Sequence, residues 1–318
     1  MKKIVVLDGY PLNPGDLSWK SLAQVGETIV YERSSEAEIL SRIADADIVL
    51  TNKAILSEAA IKVASKLTYI GVMATGYNVV DLDAAKKHNI TVTNVPAYST
   101  ASVAQLTINL MLELSAHFSL YAHSVQQGDW ERCADFSYQL KPIIELQGKT
   151  LGIIGLGQIG KKVAEIALAF GMKIIASHKH PERDRMEGVD FVDEKTCFQT
   201  ADFISLHCPL NDKNKNFVNA ALLRGMKPSA FLINTSRGGL IHENDLADAL
   251  NSEQIAGAGL DVLSVEPPAS ENPLLTAKNC IVTPHIGWAS IESRKRLMDT
   301  LVNNIKAYLE GAPINVVG

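Results

Sequence analysis

At 318 residues the chain is long enough for about two domains, each able to bury its own core. Lys plus Arg number 30 against 35 Asp plus Glu, and the resulting net charge of −5 argues against a nucleic-acid or anionic-membrane partner, whose phosphates demand a basic surplus. With 47% hydrophobic, 20% charged and only 6% aromatic residues, the composition is that of a globular protein with an aliphatic core.

The chain begins with a short apolar run at 4–7 that stops at Asp8, too short for a secretory signal, so a cytoplasmic protein is expected. Further strands are predicted at 48–50, 69–72 and 91–93, separated by helical stretches around 36–44, 57–65 and 82–88. Asp81 reads as the N-cap of the last of these. A second block opens with a helix around 102–117, where Gln105, Asn109 and Glu113 recur every four residues, the mark of an amphipathic helix and not of a membrane span. It crosses an irregular segment at 126–147 and reaches a strand at 151–154, bounded by Gly148 and Gly155. There follow a helix at 161–170, strands at 173–176, 203–206 and 230–234, a helix at 243–250, and strands at 259–262 and 280–283. The alternation predicts an α/β protein with mainly parallel sheets. A final helix at 291–309 comes too late for the second sheet and is read as folding back onto the first block. The cysteines, Cys133, Cys197, Cys208 and Cys280, form no C-x-x-C pair, and neither His178-x-His180 nor His207-Cys208 has ligand partners at metal spacing, so no metal is expected.

Gly155-Leu156-Gly157-Gln158-Ile159-Gly160 stands directly between a predicted strand and a predicted helix. Glycines so placed let the chain turn tightly and let its backbone approach a pyrophosphate, which then sits at the positive end of the helix. The whole strand–turn–helix–strand unit favours dinucleotide binding, and the alternative is that the glycines serve only close helix–sheet packing. About 20 residues further on, such units carry an acid for the adenosine ribose. Here the stretch is Ser177-His178-Lys179-His180-Pro181-Glu182-Arg183, with no acid before Glu182. Ser177, Lys179 and Arg183 suit a 2′-phosphate, so both NAD and NADP stay open, beside the plainer reading of a solvated basic turn.

Three residues follow predicted strands, where α/β enzymes place their chemistry. Arg237 precedes Gly238-Gly239, and its guanidinium fork suits a carboxylate, although an Arg in a glycine turn also serves as a surface ion-pair partner. Glu266 and His285 form a candidate acid/base pair, since a histidine beside a carboxylate holds its proton to higher pH.

Together the glycine motif, Asn234-Thr235-Ser236-Arg237-Gly238, Gly257-Ala258-Gly259-Leu260-Asp261-Val262 leading to Glu266-Pro267, and Thr283-Pro284-His285-Ile286-Gly287 resemble the D-isomer-specific 2-hydroxyacid dehydrogenase family over nearly the whole chain. Residues 74–78, 94–100 and Trp288 resemble most its glycerate dehydrogenase or hydroxypyruvate reductase branch. The resemblance implies two doubly wound domains: a Rossmann-type dinucleotide-binding domain (99–288) inserted into a discontinuous flavodoxin-like substrate domain (1–98 with 289–318). It implies a catalytic set of Arg237, Glu266 and His285 that moves a proton while hydride passes between NAD(P) and C2 of a small 2-keto or 2-hydroxy acid. Cofactor contacts implied are Gly155, Gly157, Gln158, Ile159 and Gly160 at the pyrophosphate, Ser177, His178 and Lys179 at the adenosine end, and Cys208 and Pro209 along the ribose. Thr235, Ser236, Arg237, Asp261 and His285 would lie at the nicotinamide end, and His178 falls where NAD-preferring members carry Asp. Substrate contacts implied are Thr75, Gly76, Tyr77, Arg237, His285 and Trp288. The family is typically a homodimer, with the helix at 102–117 near the partner. A short phosphoglycerate dehydrogenase, or a dinucleotide-sensing corepressor relative, are the rival readings. Formate dehydrogenase relatives are disfavoured because they replace the Glu that stands here as Glu266.

Overall fold

Short apolar runs of three to five residues, most of them followed by a helix, build two parallel sheets. The computed structural model describes all 318 residues, and the chain falls into two compact units, Met1–Ser99 with Trp288–Gly318, and Thr100–Gly287. No helix is long and apolar enough to cross a membrane.

In the first unit the elements run β1 (Lys3–Val6), α1 (Lys20–Ala23), β2 (Glu27–Val30), α2 (Glu36–Ile43), β3 (Ile48–Thr51), α3 (Glu58–Val63), β4 (Tyr69–Val72), α4 (Leu82–Lys87) and β5 (Thr91–Thr93). The sheet is parallel throughout in the order β2-β1-β3-β4-β5, one of the two common doubly wound orders. Each of the longer helices is capped by a side chain: Ser35 and Glu38 form a capping box on α2, and Asp81 accepts the Ala84 N–H at 2.9 Å on α4. Strand β3, Ile-Val-Leu-Thr, is buried at every residue, as befits a parallel strand covered on both faces. Val5, Val49 and Ile70 face Ile39, Ile43 and Ile61, while Ile4, Val6, Ile48 and Leu50 face the other way.

The second unit runs α5 (Thr100–Ala116), α6 (Phe118–Gln126), β6 (Thr150–Ile154), α7 (Gln158–Ala169), β7 (Lys173–Ser177), β8 (Val189–Phe191), α8 (Glu194–Thr200), β9 (Phe203–Leu206), α9 (Ala220–Leu223), β10 (Phe231–Asn234), α10 (Glu243–Asn251), β11 (Gly257–Leu260) and β12 (Cys280–Val282). Its sheet is also parallel, ordered β12-β11-β10-β9-β6-β7-β8. Counted from β6 this is the dinucleotide-binding order 3-2-1-4-5-6 with one more strand beyond, and the direction of winding reverses between β6 and β9. The last helix, α11 (Ile291–Leu309), belongs to the first unit: Leu297, Leu301 and Ile305 lie fully buried against Ile4, Leu50 and Tyr69. Burial of each such side chain stabilises by roughly 1.5–3 kcal/mol.

Two sequence expectations shift. Strand β11 lies two residues earlier than expected, across Gly257 and Gly259, because these glycines let α5 press onto the sheet; a Cβ on Gly259 would stand 3.0 Å from Leu110 Cβ. Helix α7 begins at Gln158 and not at Lys161, so Gly160 is inside its first turn, where an added Cβ would strike the Gly155 carbonyl.

Candidate active site

The turn after β6 gives each of its glycines a separate task. Gly155 has φ 99°, and a Cβ there would stand 2.7 Å from the Cys208 backbone nitrogen, so the turn folds against the end of β9. Gly157, the N-cap of α7, has nothing within 4 Å of its Cβ direction, which leaves the helix terminus open to an approaching group. No side chain caps that helix and no acid stands in its first turn. Tight turn, open cradle and close helix packing are what a dinucleotide pyrophosphate needs, and these residues fit one.

The adjoining strand ends are tied to this turn. Gly155 N–H donates to Ser177 O at 2.9 Å, and Ser236 Oγ donates to Cys208 O at 2.7 Å. Thr235 points inward, its hydroxyl 2.9 Å from that of Thr107 on α5. Burial pushes the Cys208 thiol up to about 11, which keeps it protonated and inert. Pro209 and Lys179 are exposed.

Arg237 leaves the end of β10 on a turn laced by buried Asn234. The Asn234 amide donates to Arg237 O at 2.9 Å, and its oxygen accepts the Ser236 N–H at 3.0 Å. The guanidinium is exposed and bonds only to the Ser236 carbonyl, at 2.8 Å. Gly238 packs so closely on the backbone of Leu263 and Ser264 that no Cβ fits. That loop carries Glu266, whose Oε1 accepts the Leu263 N–H at 3.1 Å and whose Oε2 is 2.6 Å from His285 Nδ1. With Nδ1 donating to Glu266, the His285 Nε2 is left as the working nitrogen.

His285 stands in the left-handed region at φ 54°, unusual for a residue other than glycine. Asp261 holds it there. The Asp261 carbonyl accepts the His285 N–H at 2.9 Å, and its carboxylate accepts Thr283 Oγ1 at 2.7 Å and the N–H groups of Ile286 and Gly287, each at 2.8 Å. Burial pushes this carboxyl up, opposed by those three donors. Asp261, which the resemblance places at the nicotinamide end, is only 2% exposed, and its carboxylate turns inward to the histidine turn.

His178 is likewise held by contacts within the protein. Its Nδ1 accepts the Leu156 N–H at 3.0 Å and its Nε2 lies 2.8 Å from Asp184 Oδ2, so both ring nitrogens are occupied within the protein. Arg183, read as a phosphate ligand, also binds Asp184, through Nε at 2.9 Å and Nη2 at 2.6 Å. Asp184 escaped the sequence reading because an acid between Arg183 and Arg185 looks like an ordinary surface ion pair. Asn234 escaped it because only its register on β10 reveals that it supports the Arg237 turn.

Thr75, Gly76 and Tyr77 lie in the first unit, just past the end of β4. Their turn is anchored by Asn94, whose amide donates to Thr75 O at 2.7 Å, and by Asn52, whose amide donates to Met73 O at 2.8 Å. Thr75 Oγ1 donates to Val95 O at 3.0 Å, so this residue offers its backbone and not its hydroxyl. Trp288 also groups with the first unit and meets Tyr98 edge-on, ring centroids 6.4 Å apart.

Residues 108–287 match the family described as D-isomer specific 2-hydroxyacid dehydrogenase, NAD binding domain. The chain is 49% identical to a hydroxypyruvate reductase of Blautia hydrogenotrophica and 41% identical to a glycerate dehydrogenase of Methylorubrum extorquens, in both cases over 99% of each chain. Among solved structures, an acyclic imino acid reductase in complex with NADPH and D-Arg superposes with a TM-score of 0.87 at 33% identity, over 99% of this chain and all of that one. The chain therefore belongs to the D-isomer specific 2-hydroxyacid dehydrogenases, oxidoreductases acting on CH–OH donors with a nicotinamide dinucleotide.

Proposed function

We propose that this enzyme is a cytoplasmic, homodimeric hydroxypyruvate reductase, interconverting hydroxypyruvate and D-glycerate and accepting glyoxylate as a smaller substrate. The observation that carries the reaction is the Glu266–His285 pair, 2.6 Å apart and set at the end of β12 beside the loop that abuts the Arg237 turn. The relatives named hydroxypyruvate reductase and glycerate dehydrogenase support the substrate.

A bound nicotinamide supplies or accepts the hydride at C2. His285 Nε2 gives a proton to the substrate oxygen as the carbonyl becomes a hydroxyl, and takes it back in the reverse direction. Glu266 fixes the tautomer and ring orientation through Nδ1. Arg237 grips the substrate carboxylate and carbonyl with its fork, from a turn that Asn234 keeps rigid. In the first unit taken by itself, the backbone N–H groups of Thr75 and Gly76 are the candidate nest for a carboxylate, and Tyr77 and Trp288 are the further substrate contacts that the family resemblance implies. Gly155, Gly157, Gln158, Ile159 and Gly160 hold the pyrophosphate, and Ser177, Cys208, Pro209, Thr235 and Ser236 border the dinucleotide. The homodimer is supported by large apolar side chains exposed on α6 and the segment after it: Phe118 at 73%, Trp130 at 53%, Phe136 at 91% and Ile143 at 60%.

The decisive experiment is a panel of hydroxypyruvate, glyoxylate, pyruvate and 2-ketoisocaproate, followed by loss of reduced-dinucleotide absorbance. Hydroxypyruvate should give the highest kcat/KM; a clear preference for pyruvate or 2-ketoisocaproate overturns the substrate assignment. Sedimentation at micromolar concentration should show a dimer.

A further inference from the structure

The loop between β7 and β8 contains a charge cluster that the proposed chemistry leaves unused. Asp184 Oδ1 accepts Lys161 Nζ at 2.9 Å, and Oδ2 accepts both Arg183 donors and lies against His178 Nε2. The His178 ring is thus a strut: Nδ1 holds the glycine turn at Leu156, 22 residues away in sequence, and Nε2 holds the Asp184 carboxylate. The Asp184 side chain is 14% exposed, although that of Arg183 is 71% exposed.

The position directly after the second strand is where this fold places an acid for the adenosine ribose hydroxyls. His178 stands there and has no acceptor left to offer. The carboxylate arrives instead from the loop, one imidazole width away. The same contacts occupy Lys161 and Arg183, two of the cations that a 2′-phosphate would need; of the others nearby, Arg185 is paired with Glu182 at 2.9 Å and Lys179 is exposed.

We propose that Asp184, presented on the His178 strut, is the residue by which this enzyme selects NAD(H) over NADP(H). It holds Lys161 and Arg183 in ion pairs and so withholds both cations from a 2′-phosphate, which then meets a site without free charge-assisted donors from these two residues. Arg183, Lys161 and His178 together keep the Asp184 carboxyl far below the usual carboxylate range, so these ion pairs persist at every working pH. The assignment rests on the reading that the second unit binds a nicotinamide dinucleotide.

The test measures dissociation constants by fluorescence titration of NADH and NADPH, and of ADP and 2′,5′-ADP, which report the adenosine end alone and need no turnover. The wild-type enzyme should bind NADH about tenfold or more tightly than NADPH, and ADP more tightly than 2′,5′-ADP. Asp184→Asn should narrow both ratios by about tenfold, mainly by tightening the phosphorylated member. Arg183→Ala, at an exposed side chain, should leave NADPH affinity within about threefold, because Arg183 serves Asp184 and not a phosphate. If wild-type enzyme prefers NADPH, or folded Asp184→Asn keeps the wild-type ratios, or Arg183→Ala selectively loses NADPH, Asp184 is not the selector. Should Asp184→Asn not fold, the wild-type ratios and Arg183→Ala still decide. Failure of the wild-type protein to bind either dinucleotide would instead remove the reading beneath the proposal.

Discussion

Two strand-end turns of the second unit reach left-handed backbone by opposite means. After β6 the chain uses glycine: Gly155 takes φ 99° with no side chain to object. After β12 it places a histidine at φ 54° and holds it there through Asp261, whose carbonyl and carboxylate together accept four donors from residues 283–287. The first turn is permissive and owes its shape to composition. The second is strained and owes its shape to tertiary hydrogen bonds. A binding cradle needs only backbone, so glycine suffices; a proton-transfer group must be a side chain, and the cost of its conformation falls on a neighbour.

The comparison breaks most sharply at the side chain itself. His285→Ala should lower kcat by about 10²–10⁴ while dinucleotide affinity, measured by fluorescence titration, stays near wild type. Near-full turnover would show that the strained turn serves packing and not proton transfer. Next comes the residue that imposes the strain. In Asp261→Asn an amide NH2 replaces one carboxylate oxygen, and its favoured place is against the Gly287 N–H, leaving a buried donor facing a donor. That should cost about 1–3 kcal/mol of stability in denaturant titrations. It should also reduce kcat more than KM, because a displaced His285 weakens proton transfer without removing Arg237. A fall confined to KM would mean that Asp261 acts on binding instead.

The same contrast explains what could be read from the sequence. The glycine turn is visible because each glycine answers to a neighbour within a few residues or to the adjoining strand. Strands β4 and β9 are visible as short, mainly apolar runs, β5 as a β-branched Thr-Val-Thr, and Asp81 as the cap of α4. Strands β2 and β8 are not: both lie at sheet edges, and Glu27 and Asp190 interrupt their apolar patterns. The four-residue helices α1 and α9 are too short to show a period. Asp261 reads as one more residue of a motif, since the groups that define its task stand 22, 25 and 26 residues later and only the parallel pairing of β11 with β12 brings them together. Asp184 is hidden for a similar reason, its Lys161 partner being 23 residues earlier on α7.

Two smaller effects sharpen the contrast between permissive and imposed turns. Gly155→Ala should destabilise the second unit by about 2 kcal/mol, since alanine resists positive φ and its Cβ would press on the Cys208 backbone. Dinucleotide affinity should fall with it. At His285 the complementary substitution relieves strain: His285→Gly and His285→Ala both lack the imidazole, so any difference in stability between them reports the backbone alone. The glycine variant should be the more stable by about 1 kcal/mol, the left-handed penalty that Asp261 overcomes in the native turn. Equal denaturant midpoints would show that the turn carries little strain and that Asp261 serves only to satisfy its three donors. A glycine variant less stable than alanine would place the dominant effect in the freedom glycine adds to the unfolded chain.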